Sequence, residues 1–163
     1  MNAVTQSGSP QRWIAPVFGG GLLAGALDLT YACTYHGLVN GIPPMRILQS
    51  IGSGIFGRAS FDMGATSAAV GFFAHFFILT VAAGIFYAAS RRFAFLRDRA
   101  YLSGMVFGVG IYCTMNYIVL PLSAAPHFKG TTVGMLSDFA MHVLVLGPAI
   151  ALVARHFDRA RGV

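Results

Sequence analysis

Five side chains carry the chemistry open to this sequence: Asp28, His75, Asn116, Asp138 and His142. Each stands near the middle of a long apolar run. Ionisable groups are costly in hydrocarbon, so they face a bundle interior and mark a pathway, a ligand site or a helix contact. Three readings suit the set. In the first, the layer binds or translocates a proton, cation or small solute. Imidazole titrates near neutrality and Asp/His chains serve as relays, so the histidines and aspartates would exchange protons or coordinate the ion and Asn116 would orient it. In the second, the protein is a metal- or haem-binding redox component. Asp138 and His142 are one helical turn apart, a chelating pair, and His75 or Asp28 would complete the shell. His75, Asp138 and His142 are the candidate metal ligands. Alternatively His75 and His142 are axial haem ligands, with Gly71 making room for the ring, although nothing obvious holds the propionates. In the third, the residues are structural glue, since interhelical hydrogen bonds in membranes contribute about 0.6 kcal/mol each.

The elements that must position these residues are the runs themselves, about Ile14 to Tyr35, Ala65 to Ala89, Tyr101 to Leu120 and Thr132 to Ala154. Each approaches the roughly 20 apolar residues that a helix needs to cross a bilayer. Counted from the shared basic end at about 1.5 Å per residue, all five side chains fall roughly 20–26 Å along their helices, in one layer. Residues four apart share a helix face. Asp28 then aligns with Gly21, Gly25 and Ala32, and His75 with Gly71 and Ser67. Asn116 aligns with Gly104, Gly108 and Tyr112, and His142 with Asp138 and Gly134. Small faces are where membrane helices approach closely, so the polar groups are expected to face one another. Tyr31, Tyr35, Tyr112 and Tyr117 are possible donors to the layer. Phe72, Phe73, Phe76 and Phe77 read as packing or lipid-facing bulk, and His36 and His127 as solvated residues near the outer surface.

Composition agrees. The 163 residues are 56% hydrophobic and 10% charged, with net charge +6 and mean hydropathy +0.68. A soluble domain is about 25% charged. The fold class expected is an all-α four-transmembrane-helix bundle with an additional interfacial or re-entrant helix in the first outer loop. A single domain covers 13–156, with spans near 14–36, 64–90, 100–121 and 131–155. Residues 1–12 are expected to be a disordered cytoplasmic tail, and 157–163 a basic one. The first run is read as a retained helix. Pro43-Pro44 can open the extra helix, at about 43–57. Its Ile47, Leu48, Ile51 and Ile55 recur at helical spacing opposite Arg46, Gln49, Ser50 and Ser53.

Eight basic residues (Arg12, Arg91, Arg92, Arg97, Arg99, Arg155, Arg159, Arg161) share one side, against three (Arg46, Arg58, Lys129) on the other. Positive charge favours the cytoplasm, so both termini are expected there, with Trp13 as an interfacial anchor. The basic residues sit at helix ends, so no nucleic-acid partner is expected. The partners expected are the lipid bilayer and a second copy or another membrane protein, and in the latter case the chain would be an accessory subunit whose glycine-lined faces bind that protein. Gly52-Ser53-Gly54-Ile55-Phe56-Gly57 matches G-x-G-x-x-G, but no strand precedes it, so flexible glycine is the better reading. There is no glutamate, which removes the paired-Glu di-iron template, and no triad stands out. Enzyme activity is not expected. Cys33 and Cys113 read as small apolar packing. A repeat at an offset of 83 relates Gly21 and Gly25 to Gly104 and Gly108.

Ala74-His75-Phe76-Phe77, Met115-Asn116-Tyr117 with Leu120-Pro121-Leu122, and Ser137-Asp138 with His142 resemble the bacterial inner-membrane proteins of the YagU type. The second half matches better than the first, and Asp28 and the outer helix lie outside the resemblance. It implies a four-helix inner-membrane protein and supplies no activity.

Overall fold

The computed structural model describes residues 13–126 and 130–159. The expected 1–12 tail, Arg12, His127, Lys129 and Arg161 lie outside the described residues. Every regular element among them is helical. Four helices are long and apolar enough to cross a membrane: α1 (Ile14–Asn40), α3 (Ala65–Arg92), α5 (Ala100–Leu122) and α6 (Thr132–Arg159). Between them lie α2 (Pro44–Phe56), a tight turn at Gly57–Asp62, and the one-turn α4 (Phe95–Asp98). The spanning helices have 23 to 28 residues, or about 35–42 Å, against a hydrocarbon thickness of about 30 Å.

The boundaries have local causes. Pro16 sits in the first turn of α1, where its missing N–H costs nothing. Gly41 ends that helix at φ 65, and its N–H bonds to the His36 carbonyl, a left-handed cap that suits glycine. Pro44 opens α2. The Thr131 side chain caps α6 by accepting from the Gly134 N–H at 3.1 Å. Arg91 and Arg92 occupy the last turn of α3, where cations suit the helix dipole.

Both α5 and α6 widen by one π turn, at Met115–Val119 and His142–Leu146. Each wide turn ends two residues before a proline, Pro121 and Pro148. A proline removes a helix donor and its ring clashes with the carbonyl four residues back. Widening the preceding turn relieves that clash, which explains why the same distortion occurs twice.

Helix α1 packs against α3 and α6, α5 lies along α6, and α2 lies on α3. Small residues set the closest approaches. A Cβ at Gly21 would lie 2.5 Å from the Thr80 Cα, and one at Gly25 2.7 Å from the Phe76 ring. A Cβ at Gly104 would lie 2.6 Å from the Pro148 Cα, and one at Gly108 would strike the His142 carbonyl. The two glycine pairs of the sequence repeat thus do the same job, each seating its helix on the next span. The apolar core includes Val17, Ala24, Leu79, Ala83, Phe86, Leu146, Ile150 and Ala154. It fills the half of the bundle nearer α4.

Helix α2 departs from its expected facing. Gln49 and Ser53 are buried, while Ile55 is 61% exposed. A Cβ at Gly52 would lie 2.5 Å from the Ser67 carbonyl, and one at Gly71 would meet the Leu48 carbonyl. Approach this close favours small and polar residues whose groups find backbone partners. The Gln49 amide donates to the Gly64 carbonyl at 3.1 Å, Ser60 to the Gln49 carbonyl at 2.7 Å, and Ser67 to the Ser60 carbonyl at 2.5 Å. The G-x-G-x-x-G stretch is therefore a packing element: Gly52 meets α3, and Gly57 turns the chain at φ 59.

Helix α6 runs to Arg159, so Phe157, Asp158 and Arg159 extend a helix. The Asp158 side chain is only 4% exposed and lies 3.5 Å from both Arg91 and Arg97. Those arginines, read from sequence as orientation signals, also clamp the end of α6 to the α3–α4 corner.

Candidate functional site

The five residues Asp28, His75, Asn116, Asp138 and His142 all line one cavity of about 720 Å³. It occupies the half of the bundle nearer α2. Leu79 and Ile111 line it and also belong to the apolar core, so they form its floor. Arg46, Ile47, Ser50 and Ile51 of α2 contribute to its cover. The shared layer expected from residue spacing is thus a shared chamber.

Its side chains are held mainly by backbone carbonyls. His75 Nε2 lies 3.1 Å from the Gly25 carbonyl. A carbonyl only accepts, so Nε2 carries the proton and Nδ1 is the nitrogen not committed to the backbone. His142 has the opposite arrangement, with Nδ1 donating to the Asp138 carbonyl at 2.8 Å, which leaves Nε2 uncommitted. Each imidazole is oriented by one nitrogen and keeps the other for a proton or ligand. The Asp28 carboxylate lies 3.9 Å from His75 Nε2, and it is within electrostatic reach of His142 and Asp138. Asn116 donates to the Tyr112 carbonyl at 2.9 Å.

Further groups join the wall. The Tyr31 hydroxyl is 2.7 Å from Ser137 Oγ and 3.1 Å from Asp138 Oδ1. Its single proton goes to the carboxylate, which only accepts, and this contact ties α1 to α6. Tyr112 lies edge-on to Phe139 and His142, with ring centroids 5.2 and 5.6 Å away. Arg46 donates to the Phe61 carbonyl at 3.0 Å and stands over the Phe61 ring at 5.4 Å. His36 lines the rim and pairs with the Asn40 amide at 2.9 Å. Sequence reasoning named Tyr31 and Tyr112 as possible donors and treated His36 as solvated. It did not place Arg46 in the site. Helical spacing had set Arg46 on the face opposite Ile47, so the sequence carried no signal for it.

The metal and haem readings find less support. Among the described residues, no three His, Cys, Asp or Glu side chains are gathered as a metal-ligand set. The space that Gly71 was expected to leave for a haem ring is filled by the Leu48 carbonyl of α2. Cys33 and Cys113 are free thiols.

Comparison with protein-family models, with curated proteins and with solved structures finds no match. The fold among the described residues is all-helical, and its four helices long and apolar enough to cross a membrane suit a multi-pass membrane protein. The likeness to the YagU type rests on the quoted residues alone.

Proposed function

We propose that this protein binds a small cationic solute in an intramembrane chamber, as the binding step of a transporter. The observation that carries the reading is the convergence of Asp28, His75, Asn116, Asp138 and His142 on one cavity of about 720 Å³. Its size falls within the range of about 300–1,000 Å³ usual for small-ligand sites, and its few polar groups in a mostly apolar wall fit the same pattern. Two carboxylates favour a cation. The two uncommitted imidazole nitrogens, His75 Nδ1 and His142 Nε2, accept hydrogen bonds from an ammonium or exchange a proton with it.

The eight-to-three partition of basic residues supports cytoplasmic termini, and the resemblance to the YagU type supports a bacterial inner membrane. The chamber then faces the periplasm, with α2 lying at that surface. Passage to the other side requires the floor of Leu79 and Ile111 to part.

The test uses protein reconstituted in liposomes under imposed gradients of protons, alkali cations and methylammonium. Equilibrium binding of methylammonium is measured in parallel. The expected result is binding that weakens tenfold or more in Asp28→Asn and in Asp138→Asn, with flux that falls in His75→Ala and His142→Ala. Flux no greater than in protein-free liposomes, together with binding indifferent to both asparagine substitutions, would overturn the reading.

A further inference from the structure

The geometry points to a membrane-dissolved amphiphile with an ammonium head as the ligand, admitted sideways from the bilayer between α3 and α5. This rests on the chamber being a binding site, and it adds the ligand class and the route.

Both α3 and α5 line the chamber, through Ile78 and Leu79 on one side and Ile111, Tyr112 and Met115 on the other. The two helices do not pack along each other. Helix α5 leans on α6, while α3 leans on α1 and α2. Nearer the α4 end, Phe86 and Phe107 bring them together with ring centroids 5.1 Å apart, below the chamber floor. At the opposite end the segment after α5 is tied to α2, with the Ala124 N–H donating to the Gly54 carbonyl at 3.0 Å. A seam therefore runs between α3 and α5, bounded above and below. The helix faces beside the seam are apolar: Ile85, two turns along α3 from Ile78, is 59% exposed and Val106 of α5 is 68% exposed, so the surroundings of the seam are hydrocarbon.

The ligand class follows from where charge and apolar surface lie. Asp28 and Asp138 supply the negative charge, on α1 and α6, across the chamber from the seam helices. Ile47, Ile51, Ile78, Leu79, Ile111 and Met115 give the remaining wall a hydrocarbon character. An ammonium head on the carboxylates leaves an alkyl tail lying over these residues and out through the seam. The opposite head charge finds a poorer site. Arg46 is already held by the Phe61 carbonyl and ring, and an anionic head at the deeper end would meet two carboxylates.

The experiment uses the full chain in lipid nanodiscs and a photoreactive C12 alkylamine, with labelled peptides mapped by mass spectrometry. Dodecylammonium, dodecyl sulfate and methylammonium serve as competitors. Labelling is expected on the segments carrying Ile78–Leu79 and Ile111–Met115. Dodecylammonium is expected to suppress it at concentrations at least tenfold below those needed with methylammonium, and dodecyl sulfate to leave it unchanged. Asp28→Asn and Asp138→Asn are expected to weaken the amine at least tenfold. Met115→Trp is expected to narrow the seam and reduce labelling, and Met115→Ala to widen it and increase labelling, so the pair stays informative if the larger residue impairs folding. Equal potency of methylammonium and dodecylammonium, with labelling indifferent to both Met115 variants, would overturn the lateral route while leaving the cation site standing. Protection by dodecyl sulfate equal to that by the amine would show a lipid crevice without charge selection. No binding of either amine would remove the cation site itself.

Discussion

Two glycines on one helix separate packing from propensity. Gly108 and Gly110 lie two residues apart on α5. A Cβ at Gly108 would strike the His142 carbonyl oxygen and lie 2.8 Å from its carbon and 3.0 Å from the Val143 Cα, whereas a Cβ at Gly110 would have nothing within 4 Å. Carbon atoms pack best at about 3.5–4.0 Å, so Gly108→Ala must push α5 and α6 apart by about 1 Å. The neighbouring Gly104–Gly147 contact then opens, and gaps of about 0.5–1 Å forfeit a quarter to a half of each dispersion well. Overpacking of this kind costs about 1–3 kcal/mol, offset by about 1 kcal/mol of helix propensity gained over glycine. The expected result is a net loss of up to about 2 kcal/mol for Gly108→Ala and a gain of up to about 1 kcal/mol for Gly110→Ala. Unfolding in mixed micelles with increasing denaturing detergent, followed by circular dichroism, reads both. Equal stabilities would refute the reasoning, because the substitutions are chemically identical and differ only in what the new methyl group meets.

Three further substitutions probe other contacts. Asp158→Asn keeps the shape but removes the charge that Arg91 and Arg97 share. Arg91 is about half exposed and screened, so a loss of about 2 kcal/mol is expected, seen as early fraying of the α6 end in hydrogen exchange. Ser67→Val takes the hydroxyl from the Ser60 carbonyl and should cost about 1–3 kcal/mol, with α2 more open to limited proteolysis than the rest of the chain. Tyr31→Phe frees Asp138 and Ser137 from α1. It should lower stability by about 1–2 kcal/mol and change amine affinity, while Tyr35→Phe, whose hydroxyl makes no contact of this kind with Asp138, serves as the comparison.

The gathering of the five polar residues on one cavity was more legible than the contacts that hold them. Depth and facing follow from a fixed rise and a fixed period, and they sufficed to place Asp28, His75, Asn116, Asp138 and His142 together. The helix at about 43–57 was legible from Pro44 and the isoleucine spacing, but its facing was not. Periodicity assumes that apolar residues turn inward. On α2 the closest approach is backbone to backbone at Gly52 and Gly71, which selects Gln49 and Ser53 for the buried side and leaves Ile55 outside. Asp158 was hidden for a different reason. It lies among basic residues near the chain end, and only the three-dimensional return of α6 to the α3–α4 corner reveals it as the buried partner of two of them. The wide turns did have a signal, in the positions of Pro121 and Pro148 after long apolar stretches.

Those wide turns connect the backbone to the chamber. Asn116 is the second residue of the first and His142 the first residue of the second. Each donates a side-chain hydrogen bond to the carbonyl four residues earlier. Such back-bonding bends a helix, and here it acts where proline already forces the turn to widen. At His142 the result is a division of labour. Its Nδ1 is spent on the Asp138 carbonyl, its own carbonyl lies against Gly108, and its Nε2 is left for the chamber. A methyl group at Gly108 therefore acts on the chamber through the backbone of His142 itself. A residue whose backbone is held by this close packing is also one whose free nitrogen the proposed ligand would meet, and this coupling lets stability and binding be tested with the same substitution.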